Sequence, residues 1–193
     1  ELGAMTGLDT VDVSHNHLKS LHGLEQATEL YALYASYNQL DSLEGMPAAP
    51  RLDELRLDHN NLASLAGMPP LDPQQYHYPY MMYLDLSGNK LTSLAGLWGM
   101  DGISSLNLSG NGITSLTSFH FPETVYSLDL SYNALGSLSE ATIPPSVREL
   151  LLRGNQLTSL TGIEAFNELI SLDVSNNALT SLDALPASTM LDK

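Results

Sequence analysis

One asparagine recurs along this chain at a nearly fixed interval, and that interval constrains the fold more than any other feature. It stands at Asn16, Asn38, Asn60, Asn89, Asn111, Asn133, Asn155 and Asn177, with successive spacings of 22, 22, 29, 22, 22, 22 and 22 residues. Aligned on it, apolar residues fill the positions eight, five and three before and two, five and eight after. Around Asn89 these are Met81, Leu84, Leu86, Leu91, Leu94 and Leu97; around Asn177 they are Leu169, Leu172, Val174, Leu179, Leu182 and Leu185. A repeat this short cannot bury its apolar face alone, but stacked copies bury a continuous core, each touching only its neighbours. The 193 residues therefore read as one quasi-linear array, although length alone allows one or two globular domains.

Each Leu-x-Leu segment reads as a short strand with alternate side chains buried and exposed. Parallel strands stacked about 4.7–4.9 Å apart give eight repeats a span of roughly 35–40 Å. Leucines then meet in columns, each burial contributing roughly 1.5–3 kcal/mol. The asparagine amide has donors and an acceptor; turned inward, it can pair with backbone of its own bend and of the adjoining repeat. A serine follows four residues after every asparagine, from Ser20 to Ser181, and its hydroxyl is expected to bond backbone locally. A glycine three residues later (Gly23, Gly45, Gly67, Gly96, Gly162) permits a bend. The return leg is too short for a full helix, so extended or 3₁₀ structure is expected there.

The L-x-x-L-x-L-x-x-N-x-L pattern resembles the leucine-rich-repeat family over nearly the whole chain. The 22-residue period with L-x-x-N-x-L-x-S-L-x-G-L is similar to the short class of bacterial internalins and of a phosphatase-regulating nuclear repeat protein. It lacks the L-x-G-x-I-P core of plant receptor repeats. Two repeats depart, at Phe121-Pro122-Glu123-Thr124-Val125 and Ile143-Pro144-Pro145-Ser146-Val147; this variant resembles repeats of amoebae and oomycetes, some joined to kinase domains. The resemblance implies an α/β repeat solenoid, mostly β with 3₁₀ or extended legs, curved so that a parallel sheet lines its concave face. It also implies a recognition module, the sensing or regulatory part of a receptor or kinase; the alternative is a structural spacer or assembly scaffold without a dedicated ligand pocket.

The array is expected to be a single domain over residues 1–193 with about eight repeats. The pattern continues to both ends without polar capping repeats, which reads as a fragment of a longer protein. Repeat four is seven residues longer, and the excess falls in a segment at 69–80 whose prolines (Pro69, Pro70, Pro73, Pro79) exclude a regular helix. It reads as a loop insertion at the edge of a rigid scaffold, where function tends to sit.

Charge excludes some partners. The formal net charge is −15, from 22 Asp and Glu against seven Lys and Arg, which repels nucleic acid and anionic membranes. No apolar run is long enough to span a bilayer. Without cysteine there is no disulfide, thiol nucleophile or thiolate metal site; the lack leans slightly toward an extracellular or cell-surface setting. The six histidines show no metal-ligand spacing, and no nucleophile elbow, P-loop or carboxylate pair stands out, so neither a cofactor nor catalysis is expected. Asn107-Leu108-Ser109 matches a glycosylation sequon, read as a chance match.

Candidate contacts come from the positions six, four, two and one before each asparagine, which face outward on the strand side. Departures from the common residue concentrate in repeats two to four, and seven of the nine tyrosines lie between residues 31 and 83. Exposed tyrosine and arginine beside acids are usual components of binding hot spots. The expected ligand-binding set is Tyr34, Tyr37, Arg56, Asp58, His59, Tyr83 and Asp85, its partner a protein or peptide.

Overall fold

The computed structural model describes residues 6–69, 82–97, 102–117, 119–139, 141–164, 166 and 168–185. Eight three-residue strands form one sheet: β1 (Thr10–Asp12), β2 (Ala32–Tyr34), β3 (Glu54–Arg56), β4 (Tyr83–Asp85), β5 (Ser105–Asn107), β6 (Ser127–Asp129), β7 (Glu149–Leu151) and β8 (Ser171–Asp173). Strand order in space follows order in sequence, and every pairing is parallel and in register, Val11↔Leu33, Leu33↔Leu55, Leu55↔Leu84 and so on to Leu150↔Leu172. The seven extra residues between β3 and β4 leave that register intact. From residue 70 the expected loop lies outside the described residues.

The middle residue of each strand points inward. Leu33, Leu55, Leu84, Leu106, Leu128 and Leu150 are fully buried; Val11 and Leu172 at the ends of the stack are only partly so. Behind this column the leucines at positions three before and two and five after the asparagines complete one core. In the later repeats Phe119 and Phe121, edge-to-face at 4.5 Å, and Phe166 fill it.

The asparagine side chains stitch repeat to repeat. Asn133 Oδ1 accepts from the Ile113 N–H of the preceding repeat at 3.0 Å, and its Nδ2 donates to Leu108 O of that repeat and to Leu130 O of its own, both at 3.0 Å. The same pattern holds at Asn38, Asn60, Asn89, Asn111, Asn155 and Asn177. These are backbone groups of tight bends at which the sheet ladder ends, and the amide satisfies them where water cannot.

The return legs are strings of isolated turns. Amides at Leu24, Met46, Met68, Leu97, Ala141 and Ile163 each bond the carbonyl three residues back, a 3₁₀-type contact that never extends into a helix; no helix occurs among the described residues. Serines behave as expected in several legs, Ser115, Ser137, Ser159 and Ser181 each accepting from the N–H two residues on. The glycine bend is obligatory at Gly162, where φ is 110° and a Cβ would lie 2.4 Å from Leu138 O. In the two proline-bearing legs the hydroxyls of Thr124 and Ser146 donate to Ile103 O and Val125 O of the preceding repeat, adding a second inter-repeat tie.

Candidate functional site

In-register stacking turns each outward position of the strands into a straight column. The first strand residues form the column Thr10, Ala32, Glu54, Tyr83, Ser105, Ser127, Glu149 and Ser171; the third form Asp12, Tyr34, Arg56, Asp85, Asn107, Asp129, Leu151 and Asp173. In neither column does a carboxylate stand directly beside another. Neighbours at about 4.8 Å would repel if both were charged.

Asp or Asn in the third-residue column has a local cause. Asp12, Asp85, Asn107, Asp129 and Asp173 each accept, through Oδ1, the N–H of the serine two residues on, at 2.8–3.0 Å. These side-chain turns fold the chain away from the strand. The bond from the Ser14 N–H holds the Asp12 carboxyl below the usual carboxylate range; at Asp173 the Ser175 hydroxyl and N–H do the same. Tyr34, Arg56 and Leu151 are the positions where this turn is given up.

Tyr34, Arg56 and Tyr83 come together. The Arg56 guanidinium carbon lies 5.4 Å from the Tyr34 ring centroid and 5.2 Å from that of Tyr83, a cation held between two aromatic faces. Glu54, absent from the expected set, organises the group: it accepts from Tyr34 Oη at 2.7 Å and from Arg56 Nε at 2.7 Å. Burial would push the Glu54 carboxyl up, but these two bonds and the Arg56 charge outweigh it and hold it low. The bond to Glu54 raises the Tyr34 hydroxyl. Asp85 is buried, and its carboxylate accepts from Ser87 N, Tyr83 Oη and Asn107 Nδ2; it positions Tyr83 and has little left for a ligand. Burial, then the Asp85 charge and hydrogen bond, push the Tyr83 hydroxyl up to about 12.

Tyr37 and His59 belong to a second, adjoining feature. The residue just before each asparagine has positive φ throughout: 56° at His15, 53° at Tyr37 and His59, 61° at Gly88, 64° at Gly110, 55° at Tyr132, 69° at Gly154 and 55° at Asn176. This left-handed bend lines the residues up along one edge of the sheet. His15 stacks on Tyr37 at 4.6 Å and Tyr37 on His59 at 4.2 Å, nearly parallel; a Cβ at Gly88 would lie 3.1 Å from the His59 ring. The faces of Tyr37 are therefore covered by its neighbours, and its ring edge and hydroxyl are what a ligand can reach. Asp58 joins this ladder to the strand face, bonding the Ser36 hydroxyl and lying 3.0 Å from His59 Nδ1.

Farther along the sheet Arg153 lies over the Tyr132 ring at 5.8 Å, beside Leu151. The sequence marks both as departures from the common residue, but tyrosine density drew the expected site to repeats two to four. Among the described residues no group of three or more histidines or carboxylates is placed to hold a metal, and no helix is long and apolar enough to cross a membrane.

Against known proteins, the family description "Leucine rich repeat" matches residues 50–113 and "Leucine Rich repeats (2 copies)" matches residues 145–187. No curated protein matches. Among solved structures, internalin C2 of Listeria monocytogenes superposes with a TM-score of 0.84 at 19% identity, over 96% of this chain and 79% of that one. YopM of Yersinia enterocolitica gives 0.72 at 31% identity, over 91% of this chain and 34% of its own. A plant peptide hormone receptor, RGFR1 in complex with RGF2, gives 0.62 at 24% identity, over 88% and 28%. This chain thus spans about a third or less of the last two.

Proposed function

Because the chain belongs to the leucine-rich-repeat family, whose members are generally protein-binding scaffolds, we propose that it is the sensing or regulatory part of a larger protein such as a receptor or kinase. On this reading it binds a protein or peptide ligand on the exposed face of its sheet, over repeats two to four. The observation that carries the reading is the Tyr34–Arg56–Tyr83 stack. Tyrosine and arginine dominate measured hot spots, and here all three are fixed before any ligand arrives by Glu54 and Asp85. Preordering removes a cost that binding otherwise incurs for each immobilised side chain. His59 and Tyr37 supply a half-exposed rim, and the mostly buried Asp58 carboxylate beneath it bonds His59.

A receptor for a peptide hormone shares the fold, so a peptide library is a fitting probe. Peptides selected from a random display library on the wild-type chain should lose at least about 30-fold in affinity when Tyr34→Ala and Tyr83→Ala are combined, the loss of a 2 kcal/mol hot spot. Circular dichroism and melting temperature establish that the variant is folded. Selected peptides that bind the double variant equally well would sink the reading, and failure to select any peptide would favour a spacer.

A further inference from the structure

Every asparagine of this chain is followed by a residue that carries a side chain, with one exception: Asn111 precedes Gly112. Elsewhere in the ladder that position holds residues such as Gln39, Lys90 and Ala134. The backbone there does not call for glycine. Its φ is not positive, and a Cβ on Gly112 would meet Thr92 Cγ2 at 3.4 Å, an ordinary contact. With Gly110 on its other side, Asn111 stands between two residues that lack a Cβ. It is half-buried, whereas Asn89 and Asn133 of the flanking repeats are buried. The pair is nevertheless locked in the closed stack. Asn111 Oδ1 accepts from Leu91 N at 2.9 Å, and Nδ2 donates to Leu86 O and Leu108 O at 3.0 Å. Gly112 N in turn donates to Leu91 O at 2.8 Å. Leu86 and Leu91 belong to the preceding repeat, so three of these four bonds cross one repeat junction.

We propose that Asn111 is a modification site gated by the fold, converted to aspartate and isoaspartate only when the stack opens between repeats four and five. The Gly112 backbone nitrogen attacks Asn111 Cγ. The N–Cγ bond forms, the Cγ–Nδ2 bond breaks, and ammonia leaves with the proton given up by Gly112 N. Water then hydrolyses the resulting five-membered imide at either carbonyl. Such an attack needs its two atoms in near-attack geometry, and glycine, with no Cβ and wide backbone freedom, resists it least. In the closed stack Cγ cannot turn toward the Gly112 nitrogen without breaking the amide's bonds to repeat four. The proton on that nitrogen is meanwhile held by Leu91 O. Opening of the junction releases all these groups together, and where reclosing is fast the rate follows the open fraction. The product then blocks the way back. An ionised carboxylate accepts only, so Leu86 O and Leu108 O lose their donor, and isoaspartate adds a methylene to the backbone of the bend. One opening event is thereby recorded as a permanent break in the ladder. The site goes beyond the recognition reading and does not depend on it.

The test is to incubate the chain at neutral pH in buffer and in concentrated urea, and to follow each asparagine by peptide mapping and tandem mass spectrometry. In urea, Asn111 should convert before every other asparagine. In buffer its conversion should be at least about tenfold slower, by the same factor that hydrogen exchange measures for the Gly112 amide. Urea below the unfolding transition should speed both processes in proportion. Gly112→Ala should keep the fold and bring Asn111 in urea down to the rate of the other asparagines. Ala134→Gly should create a second site, fast in urea and protected in buffer, because Asn133 makes the same bonds. Asn111→Asp, which installs one product directly, should unfold at a lower urea concentration than wild type. Equal rates for Asn111 in buffer and in urea, or a different asparagine converting first in urea, would overturn the inference. So would a rate in buffer that ignores low urea while Gly112 exchange rises. An Asn111→Asp chain as stable as wild type would overturn the permanent break.

Discussion

At the scale of single residues, the asparagines show how one amide can serve two repeats. Asn133 is buried and closes four bonds, two of them to the repeat before it. Asn16, in the first described repeat, is exposed and among the described residues bonds only Val13 O and Ser14 O of its own turn. Asn133→Ala should therefore cost about 1–3 kcal/mol, the penalty of stranded buried groups, whereas Asn16→Ala should cost a few tenths. Urea unfolding of the two variants checks this, and equal losses would refute the inter-repeat role. Tyr83 gives a second expectation. Its folded pKa, about 12, lies above that of a free tyrosine, near 10. The neutral form is thus favoured by folding, and that stability is complete below pH 10 and is lost as pH rises through about 12. Ultraviolet titration of tyrosinate should show a late phase that Tyr83→Phe removes.

At the scale of elements, stacking makes the columns electrostatic objects. Asn107 separates Asp85 from Asp129 and donates to Asp85. Asn107→Asp would line up three carboxylates in consecutive strands and remove that donor. A loss of about 1 kcal/mol is expected at neutral pH. Repulsion raises the carboxyl pKa values in the fold, so stability should return as pH falls toward the ordinary carboxylate range. Denaturation at the two pH values reads the difference directly. The strands were legible because a 22-residue period aligns Leu-x-Leu with itself and leaves no other register. The return legs were legible as extended or 3₁₀ chain from their shortness, but not the place of each isolated turn, since a single turn needs no periodic signal. The residue before each asparagine was read by its exposure, while its composition of His, Tyr, Gly and Asn also answers to the positive φ. That conformation was signalled by Gly88, Gly110 and Gly154, and it places Tyr37 and His59 in a ladder beside the strand-face stack. Glu54 was missed because its importance lies in reaching both Tyr34 and Arg56, which strand pairing determines and residue type does not. Arg153 and Leu151 were visible as exceptions but carried no aromatic density to draw attention.

At the scale of the whole molecule, a chain with net charge −15 folds into a narrow stack whose acids are spaced along columns yet still share one surface. Their long-range repulsion opposes folding and is screened as the Debye length falls from about 10 Å at 0.1 M salt to about 3 Å at 1 M. The melting temperature should rise with sodium chloride over that range, and calorimetry in a salt series will show it. The fixed register between neighbours has a further consequence, for how such a protein changes over generations. Gain or loss of one 22-residue unit leaves every column continuous, so the chain tolerates it structurally. Inside the stack, however, it moves every residue on one side of the insertion by one strand spacing, about 4.8 Å, relative to every residue on the other. A duplication between two repeats therefore changes the distance between them, while one outside that interval leaves it as it was.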